Sequence, residues 1–209
     1  MKKLFTLFMT FAFSCLHLFA QDAEIQKAAE RYKNMNTLAA TVVRTKHNDV
    51  LTQDIVSRGY FYYKKPDKMC MIFDDGKDML LMVDNTFTMV ADGKKSVAKG
   101  KGNNQFESLQ AVFKNMTADE DSAVDLSDLA DVEVAKQGNT CVLTVTPIIS
   151  DAKARRKMMF TSFVLTVDLK RVELKSLRMN EKGNNYTRYD FSNYQFNAPV
   201  SDSVFNPSL

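Results

Sequence analysis

The stretch "GYFYYKKPDKMCMIF" at residues 59–73 decides the fold. It predicts two strands joined by a turn at Lys64-Lys65-Pro66-Asp67, because proline and aspartate favour turns between apolar runs. Both strands are apolar or aromatic at nearly every position, whereas a sheet with one solvated face alternates apolar and polar residues. Other parts of the protein must therefore cover both faces of this hairpin.

The N-terminus has the pattern of a secretory signal. Two lysines precede an apolar run that ends at the small residue Ala20, an order typical of a cleaved signal peptide. We expect residues 1–20 to be removed and residues 21–209 to form a single domain. The run is too short and too interrupted to predict a membrane span. Lipidation at Cys15, which follows a serine as in a lipobox, is the less favoured alternative.

Charge and cysteine content exclude some functions and leave others open. The chain has 28 basic and 25 acidic residues, and the predicted signal removes two lysines and no acid. The mature protein is then nearly neutral, so no basic field argues for binding to nucleic acid or to an anionic membrane. Cys70 and Cys141 remain after cleavage; they can form a disulfide in an oxidising compartment or remain buried strand thiols.

Apolar residues recur at helical spacing in two places. Residues 22–36 predict one amphipathic helix, and the apolar residues from Phe106 to Met116 predict a second. The acidic stretch 119–128 is interpreted as a loop or a short third helix. The remaining pattern is one of strands separated by turn residues: 37–45, 55–64, 67–75, 78–84, 86–91, 131–136, 139–147, 159–168, 172–181 and 185–196.

This order of elements predicts an antiparallel sheet. Strands and helices do not alternate along the chain, as they would around a parallel sheet. We expect residues 94–104 to be a loop, with room for a short strand, and the basic residues 153–157 to be a solvated loop. The tail from Ala198 contains two prolines and is expected to be irregular.

No sequence motif points to catalysis. His47 is the one histidine after the signal, and its place at a polar strand end is typical of a surface residue. The sequence contains no nucleophile elbow, zinc-binding HExxH or phosphate-binding loop. We therefore expect a protein that is not an enzyme and that needs no cofactor or metal.

The apolar residues instead favour a binding role. Methionines cluster on the predicted strands between 69 and 89, and methionine suits surfaces that accept apolar partners of variable shape. The alternative is that these methionines fill gaps in a packed core. A sheet that is apolar on both faces must be covered on both, and a curved sheet with helices across its open side encloses an apolar cavity, the usual form of a lipid site.

Three segments resemble the LolA-type periplasmic lipoprotein carriers. "GYFYYKKPDKM" at 59–69 is similar to that family's segment of glycine, apolar residues and Lys-Arg-Pro. "LLMVDNTF" at 80–87 resembles its "LVSDG-x-x-L" hairpin, and "TCVLTVTP" at 140–147 its "FVLTP" strand. The last strands follow the same pattern, so the resemblance spans most of residues 22–205.

The resemblance implies an α+β, mainly antiparallel fold: an incomplete, strongly curved β-barrel closed by a lid of two or three α-helices. In the family, the cavity between barrel and lid takes the acyl chains of lipoproteins crossing the periplasm. The implied partners are an inner-membrane lipoprotein-releasing ABC transporter and an outer-membrane acceptor. We expect a periplasmic monomer.

The predicted cavity has two walls, and each of these residues can instead belong to an ordinary core. The barrel wall is expected to consist of Tyr62, Met69, Met71, Leu81, Phe87 and Met89. The lid wall is expected to consist of Tyr32, Phe106, Leu109, Phe113 and Met116.

Departures from the family pattern raise specific questions. Lys65 stands where the family has the arginine that ties the lid to the barrel, and lysine lacks the planar fork of arginine. Lys65 is therefore the candidate for a lid latch. Tyr62 and Met71 stand where the family often has tryptophan, so cavity shape and cargo can differ. A sensor domain that binds a regulatory protein, and a carrier of another lipid or glycolipid, are the alternative functions.

Overall fold

The computed structural model describes residues 34–84, 86–91, 93–99, 105–117 and 124–206. Within these residues eleven strands form a single sheet whose neighbouring strands are all antiparallel. The strands are β1 (Thr37–His47), β2 (Ile55–Lys64), β3 (Lys68–Phe73), β4 (Asp78–Val83), β5 (Thr86–Ala91), β6 (Lys94–Lys99), β7 (Ala130–Gln137), β8 (Thr140–Pro147), β9 (Phe160–Asp168), β10 (Glu173–Glu181) and β11 (Tyr186–Phe196).

The sheet is an open, curled structure built from two meanders. Strands β1 to β6 lie side by side in chain order, as do β7 to β11, and the pairing of β1 with β11 joins the two halves. A helix, α1 (Gln105–Thr117), connects β6 to β7, which are the two edges of the sheet. The predicted fold class, a mainly antiparallel incomplete barrel with helical cover, is confirmed. The predicted helix at 22–36 falls mostly outside the described residues.

A close approach between β2 and β3 accompanies the curl. Gly59 is opposite Phe73 in the ladder, and a Cβ atom at Gly59 would lie 2.1 Å from the carbonyl oxygen of Ile72 and 2.6 Å from the Phe73 ring. Only glycine leaves room for this contact. Register shifts between β1 and β11 and between β9 and β10 mark irregularities that add local twist.

Helix α1 packs inside the curl and is fastened near both ends. The Phe106 ring stacks on Phe87 of β5 with ring centroids 3.4 Å apart. The Gln105 side-chain oxygen accepts hydrogen bonds from the backbone N–H groups of Met159 and Phe160, at 3.0 and 2.9 Å. Near the other end, the Asn115 side chain bonds both backbone groups of Val124. The first turn of the helix thus lies between β5 and the start of β9, and its last turn is tied to Val124.

The C-terminal segment covers the outer face of the β2–β5 region. Phe205 is buried against Cys70, Met79 and Val90, on the side of the sheet opposite α1. Asp202 pairs with Lys64 at 3.0 Å and with Lys68 at 3.4 Å, which ties the tail to the β2–β3 turn. Both faces of the 59–73 hairpin are therefore covered, the inner by the core and α1 and the outer by this tail.

One local expectation, the loop at 153–157, was wrong, and two others had left alternatives open that the structure narrows. Residues 94–99, mostly expected to be a loop, form edge strand β6; edge strands often carry lysine, which obscures the strand pattern. The basic segment forms a short helix, α2 (Ala152–Arg156), which begins where the Asp151 carboxylate accepts from the Ala154 N–H at 2.6 Å. The described part of 119–128 contains no helix.

Candidate functional site: a cavity at one end of the curled sheet

A cavity of about 920 Å³ lies at the end of the sheet where β1 ends and β2 begins. Six further strands, β3, β4, β5, β9, β10 and β11, contribute residues to its lining, so its wall runs around the inside of the curl. Its volume is within the range of about 300–1,000 Å³ that is typical of small-ligand sites. The lining residues used below are Arg44, Lys46, His47, Leu51, Ile55, Val56, Phe73, Asp74, Lys77, Asp78, Leu80, Met89, Phe160, Met179, Glu181, Tyr186 and Tyr189.

The deep wall of the cavity is apolar and continues into the protein core. Leu80, Phe160 and Met179 are buried members of the main core cluster, and Met89 packs against that cluster while remaining partly exposed. These residues come from β4, β9, β10 and β5. The cavity is therefore an extension of the apolar interior, open at one end, and suits a ligand with a hydrocarbon part.

A buried ion pair crosses the curl inside this cavity. The Arg44 guanidinium on β1 lies 2.7 Å from the Asp78 carboxylate on β4, although β2 and β3 separate these strands in the sheet. The same guanidinium lies 3.3 Å from Asp74 and donates to the Ser57 hydroxyl at 2.9 Å. It also lies over the Phe73 ring, 4.4 Å from its centroid. The pair thus connects strands that the backbone ladder does not join.

The mouth of the cavity is more polar. His47 stacks on Tyr186, and its ring nitrogen lies 2.7 Å from an Asp54 oxygen; this hydrogen bond raises the pKa of His47. Deeper in the cavity, burial raises the pKa of Glu181 above its ordinary value. Three of the lining side chains at this end are exposed and apolar: Leu51, Ile55 and Val56.

Most of the sequence-predicted barrel and lid residues meet and pack against each other in the core. Met69, Met71, Phe87, Phe106 and Leu109 are all buried in the one core cluster. Phe113 and Met116 pack against the same cluster from α1. Of the predicted residues that the structure describes, Met89 lines the cavity. Their contact with lipid remains a prediction.

Two predicted positions lie on the wrong face. Tyr62 and Leu81 belong to the outer cluster around Phe205. Successive strand residues point to opposite faces, so side chains adjacent to the inward Phe61 and Leu80 must point outward. Tyr32 lies outside the described residues.

The predicted latch residue contacts the segment that precedes β1. The Lys65 backbone N–H donates to the Asn36 carbonyl oxygen at 2.8 Å. Asn36 immediately precedes β1, which begins at Thr37. A role of the Lys65 side chain as a lid latch remains a prediction.

Sequence analysis missed Arg44, Asp78 and Tyr189, although one signal was present. Leu38, Ala40, Val42 and Arg44 occupy alternate positions of β1, so Arg44 is on the apolar, inward side of the strand. A charged residue in such a row predicts a buried partner. The identity of that partner depends on the curl, which brings β4 close to β1.

Other kinds of site are not found in the described part of the chain. No cluster of three or more metal-ligating side chains occurs there. Cys70 and Cys141 are buried thiols on different strands and are not joined by a disulfide. Within the same described ranges, no helix is both long and apolar enough to cross a membrane.

The comparisons with known proteins identify the family. The model of the outer membrane lipoprotein carrier protein LolA matches residues 33–208. This chain therefore belongs to the LolA family. No curated protein matches the chain significantly.

Solved structures of low sequence identity cover most of the chain. A DUF1329 family protein from Desulfovibrio piger is 13% identical and covers 88% of this chain and 95% of its own, with a TM-score of 0.43. A LolA superfamily protein from Nitrosomonas europaea is 12% identical and covers 88% and 96%, with a TM-score of 0.38. The lipoprotein LppX of Mycobacterium tuberculosis is 14% identical and covers 86% and 96%, with a TM-score of 0.33. The conclusions below rest on the family match and on the geometry.

Proposed function

We propose that this member of the LolA family is a periplasmic carrier that binds the acyl chains of lipoproteins and moves them from the inner to the outer membrane. The family match over residues 33–208 supports a role in lipoprotein transport. The observation that carries the proposal is the cavity of about 920 Å³ whose apolar wall continues into the core. An inner-membrane ABC transporter would load the carrier, and an outer-membrane acceptor would unload it.

The interior is suited to holding acyl chains without trapping them. Burial of an acyl chain contributes about 0.8 kcal/mol per methylene, so several chains buried along their whole length would contribute tens of kcal/mol. Measured non-covalent affinities end near −18 to −21 kcal/mol. A carrier that releases its cargo must therefore bury the chains in part, or offset part of the burial free energy.

Helix α1 provides such an offset. Beneath α1 the interior is filled by side chains, with Phe106 stacked on Phe87 and Leu109 fully buried. An acyl chain that extends from the cavity into this region must first displace these side chains. The packing free energy that is lost then opposes the free energy gained by burying the chain, and α1 acts as the lid.

The proposal is tested by purifying the protein from the periplasm and measuring displacement of a fluorescent acyl probe. Mass spectrometry of the same material identifies bound lipoproteins and shows whether the N-terminus begins after Ala20 or is lipidated at Cys15. We expect Met89→Glu to weaken probe binding at least about tenfold, because it places a charge in an apolar cavity.

Val97→Glu is the matched control. Val97 is 47% exposed on edge strand β6 and does not line the cavity, so this variant should bind the probe as the unmodified protein does. Equal probe affinities of Met89→Glu and Val97→Glu would contradict the proposal. The absence of acyl-probe binding by the unmodified protein would contradict it as well. Recovery of a regulatory protein without lipid would instead support the sensor alternative.

A further inference from the structure

One buried hydroxyl in the cavity, that of Tyr189, has no hydrogen-bond acceptor among the residues that the structure describes. Tyr189 of β11 is 5% exposed, and its ring packs 5.8 Å from Phe73. No hydrogen bond joins its hydroxyl to another of the described residues. Buried polar groups in native proteins are nearly always hydrogen-bonded, so an exception calls for an explanation.

Two other largely buried tyrosines have hydroxyl groups that donate hydrogen bonds within the protein. The Tyr63 hydroxyl donates to the carbonyl oxygen of Pro66 at 3.0 Å, and the Tyr194 hydroxyl donates to the carbonyl oxygen of Leu174. Both partners belong to the protein backbone. Tyr189 differs because it lines the cavity of about 920 Å³, where a ligand can supply the acceptor.

The surroundings keep this hydroxyl a hydrogen-bond donor. Burial raises the pKa of Tyr189 well above its ordinary value, and the nearby Arg44, Asp78 and Glu181 contribute smaller effects of both signs. The Arg44 guanidinium is engaged by Asp78, Asp74 and Ser57. The phenol thus stays protonated, beside a cation that is already occupied.

The charge of the lining indicates a neutral acceptor. Apart from His47, the cavity is lined by three basic side chains and three acidic ones, so the wall has no excess positive charge to select an anion. Leu80, Met89 and Met179 form apolar wall of the same cavity that Tyr189 lines. A ligand that fits both features has a hydrocarbon chain and an uncharged oxygen next to it.

We propose that Tyr189 donates a hydrogen bond to the carbonyl oxygen of an ester- or amide-linked acyl chain held in this cavity. The hydrocarbon lies along Leu80, Met89 and Met179, and the carbonyl lies near Arg44 without pairing with it. This inference rests on the proposed acyl-binding function and adds to it a polar group that recognises where the chain begins.

The test compares three pyrene-labelled ligands with the intact protein and with Tyr189→Phe: a diacylglycerol, an N-acyl amide and a plain alkane. Removal of the hydroxyl should weaken binding of the carbonyl ligands by about 3- to 10-fold and leave alkane binding unchanged. If only the diacylglycerol or only the amide loses affinity, that result identifies which acyl linkage the site recognises and supports the inference.

Thermal unfolding of the ligand-free variants separates recognition from structure. Tyr189→Phe removes an unsatisfied polar group, so its melting temperature should equal or exceed that of the unmodified protein. Tyr63→Phe is the matched control: it removes a satisfied hydroxyl, so it should lower the melting temperature and leave all three affinities unchanged.

Failure of this inference and failure of the proposed function give different experimental results. Unchanged carbonyl-ligand affinities in Tyr189→Phe would overturn the inference while the proposed acyl binding remained. An equal loss for all three ligands together with a lower melting temperature would show a structural role for Tyr189 and would also overturn it. Binding of none of the ligands by the unmodified protein would overturn the proposed function and, with it, this inference.

Discussion

The interior of the curled sheet has two parts that differ in packing. In the packed part, Met71 of β3 and Leu109 of α1 are fully buried in the same core cluster. At the β1–β2 end, similar apolar walls enclose a cavity of about 920 Å³ that also holds the Arg44–Asp78 ion pair. The difference shows that helix α1 and the placement of a few charges decide where space remains, since both parts have the same alternation of apolar residues.

The largest expected effect is on the free energy of unfolding, when the same methionine-to-glutamate substitution is made in the packed part and in the open part of the interior. Met71→Glu places a charge in the packed part, where no solvent or partner is available, and should destabilise the protein by about 5 kcal/mol or more. Met89→Glu, in the wall of the open cavity, should cost much less because its carboxylate can reach water. Urea unfolding of both variants measures the difference.

Equal destabilisation by the two substitutions would show that the two parts of the interior do not differ in packing. Met71→Leu is the control for the packed position. It keeps the side chain apolar and similar in volume, so its cost should be below about 1.5 kcal/mol.

The next effect concerns the ion pair that crosses the open part. Arg44→Met removes the cation closest to the buried Asp78 carboxylate, with Lys46 3.6 Å away, and should cost about 3–5 kcal/mol. Replacing both members, Arg44→Met with Asp78→Leu, should recover most of that loss. A double variant as unstable as the single one in urea unfolding would indicate that the charges themselves, rather than their mutual compensation, support the curl.

A smaller effect is expected at the close approach of β2 and β3. Gly59→Ala brings a methyl group against the Ile72 carbonyl and the Phe73 ring, and Phe73 in turn supports Arg44. Such overpacking should cost about 1–3 kcal/mol and should also lower acyl-probe affinity, because the cavity wall shifts. Val56→Ala, at an exposed position of the same strand, should change stability by no more than about 0.5 kcal/mol.

The smallest effect lies outside the interior, on the tail. Hydrogen bonds from Lys64 and Lys68 lower the pKa of Asp202 below its ordinary value. A lowered pKa in the folded state stabilises the docked tail above the unfolded pKa, and this stabilisation is lost as pH falls through the folded value. The hydrogen-exchange protection factors of residues 200–206, taken relative to the intrinsic rate at each pH, should therefore fall in acid, below about pH 4.

Asp202→Asn should remove this pH dependence without changing acyl-probe affinity. If acidification weakened probe binding in parallel with tail release in the unmodified protein but not in Asp202→Asn, the tail would be coupled to the interior. The two faces of the sheet would then not be independent.

The sequence was sufficient to predict the strands, but not to predict how the interior and the outer face of the sheet are filled. Alternation and turn residues predicted β2, β5 and β11 to within a residue or two, because these signals are local. The burial of Phe205 was not predicted, because its docking on Cys70 and Met79 depends on strands more than a hundred residues earlier in the chain. The tail has no periodic pattern to reveal it.

The location of the cavity was unpredictable for a related reason. Met71 and Met89 are equivalent in an apolar pattern, yet one is packed beneath α1 and the other faces the cavity. Tyr189 alternates with its neighbours on β11 as Phe191 does. The Tyr189 hydroxyl lacks an acceptor among the described residues. This could not be predicted from the strand pattern, because the curl of the sheet determines what lies opposite the hydroxyl.

The order of the strands has a mechanical consequence. Strands β6 and β7 are the two margins of the sheet, and α1 lies between them in the chain. A closed barrel can widen only by breaking its backbone ladder, whereas a sheet with two unjoined margins can widen by sliding side chains past one another. Since side-chain contacts are individually weak, a change in the internal volume of such a sheet requires none of the ten ladders between the described strands to break.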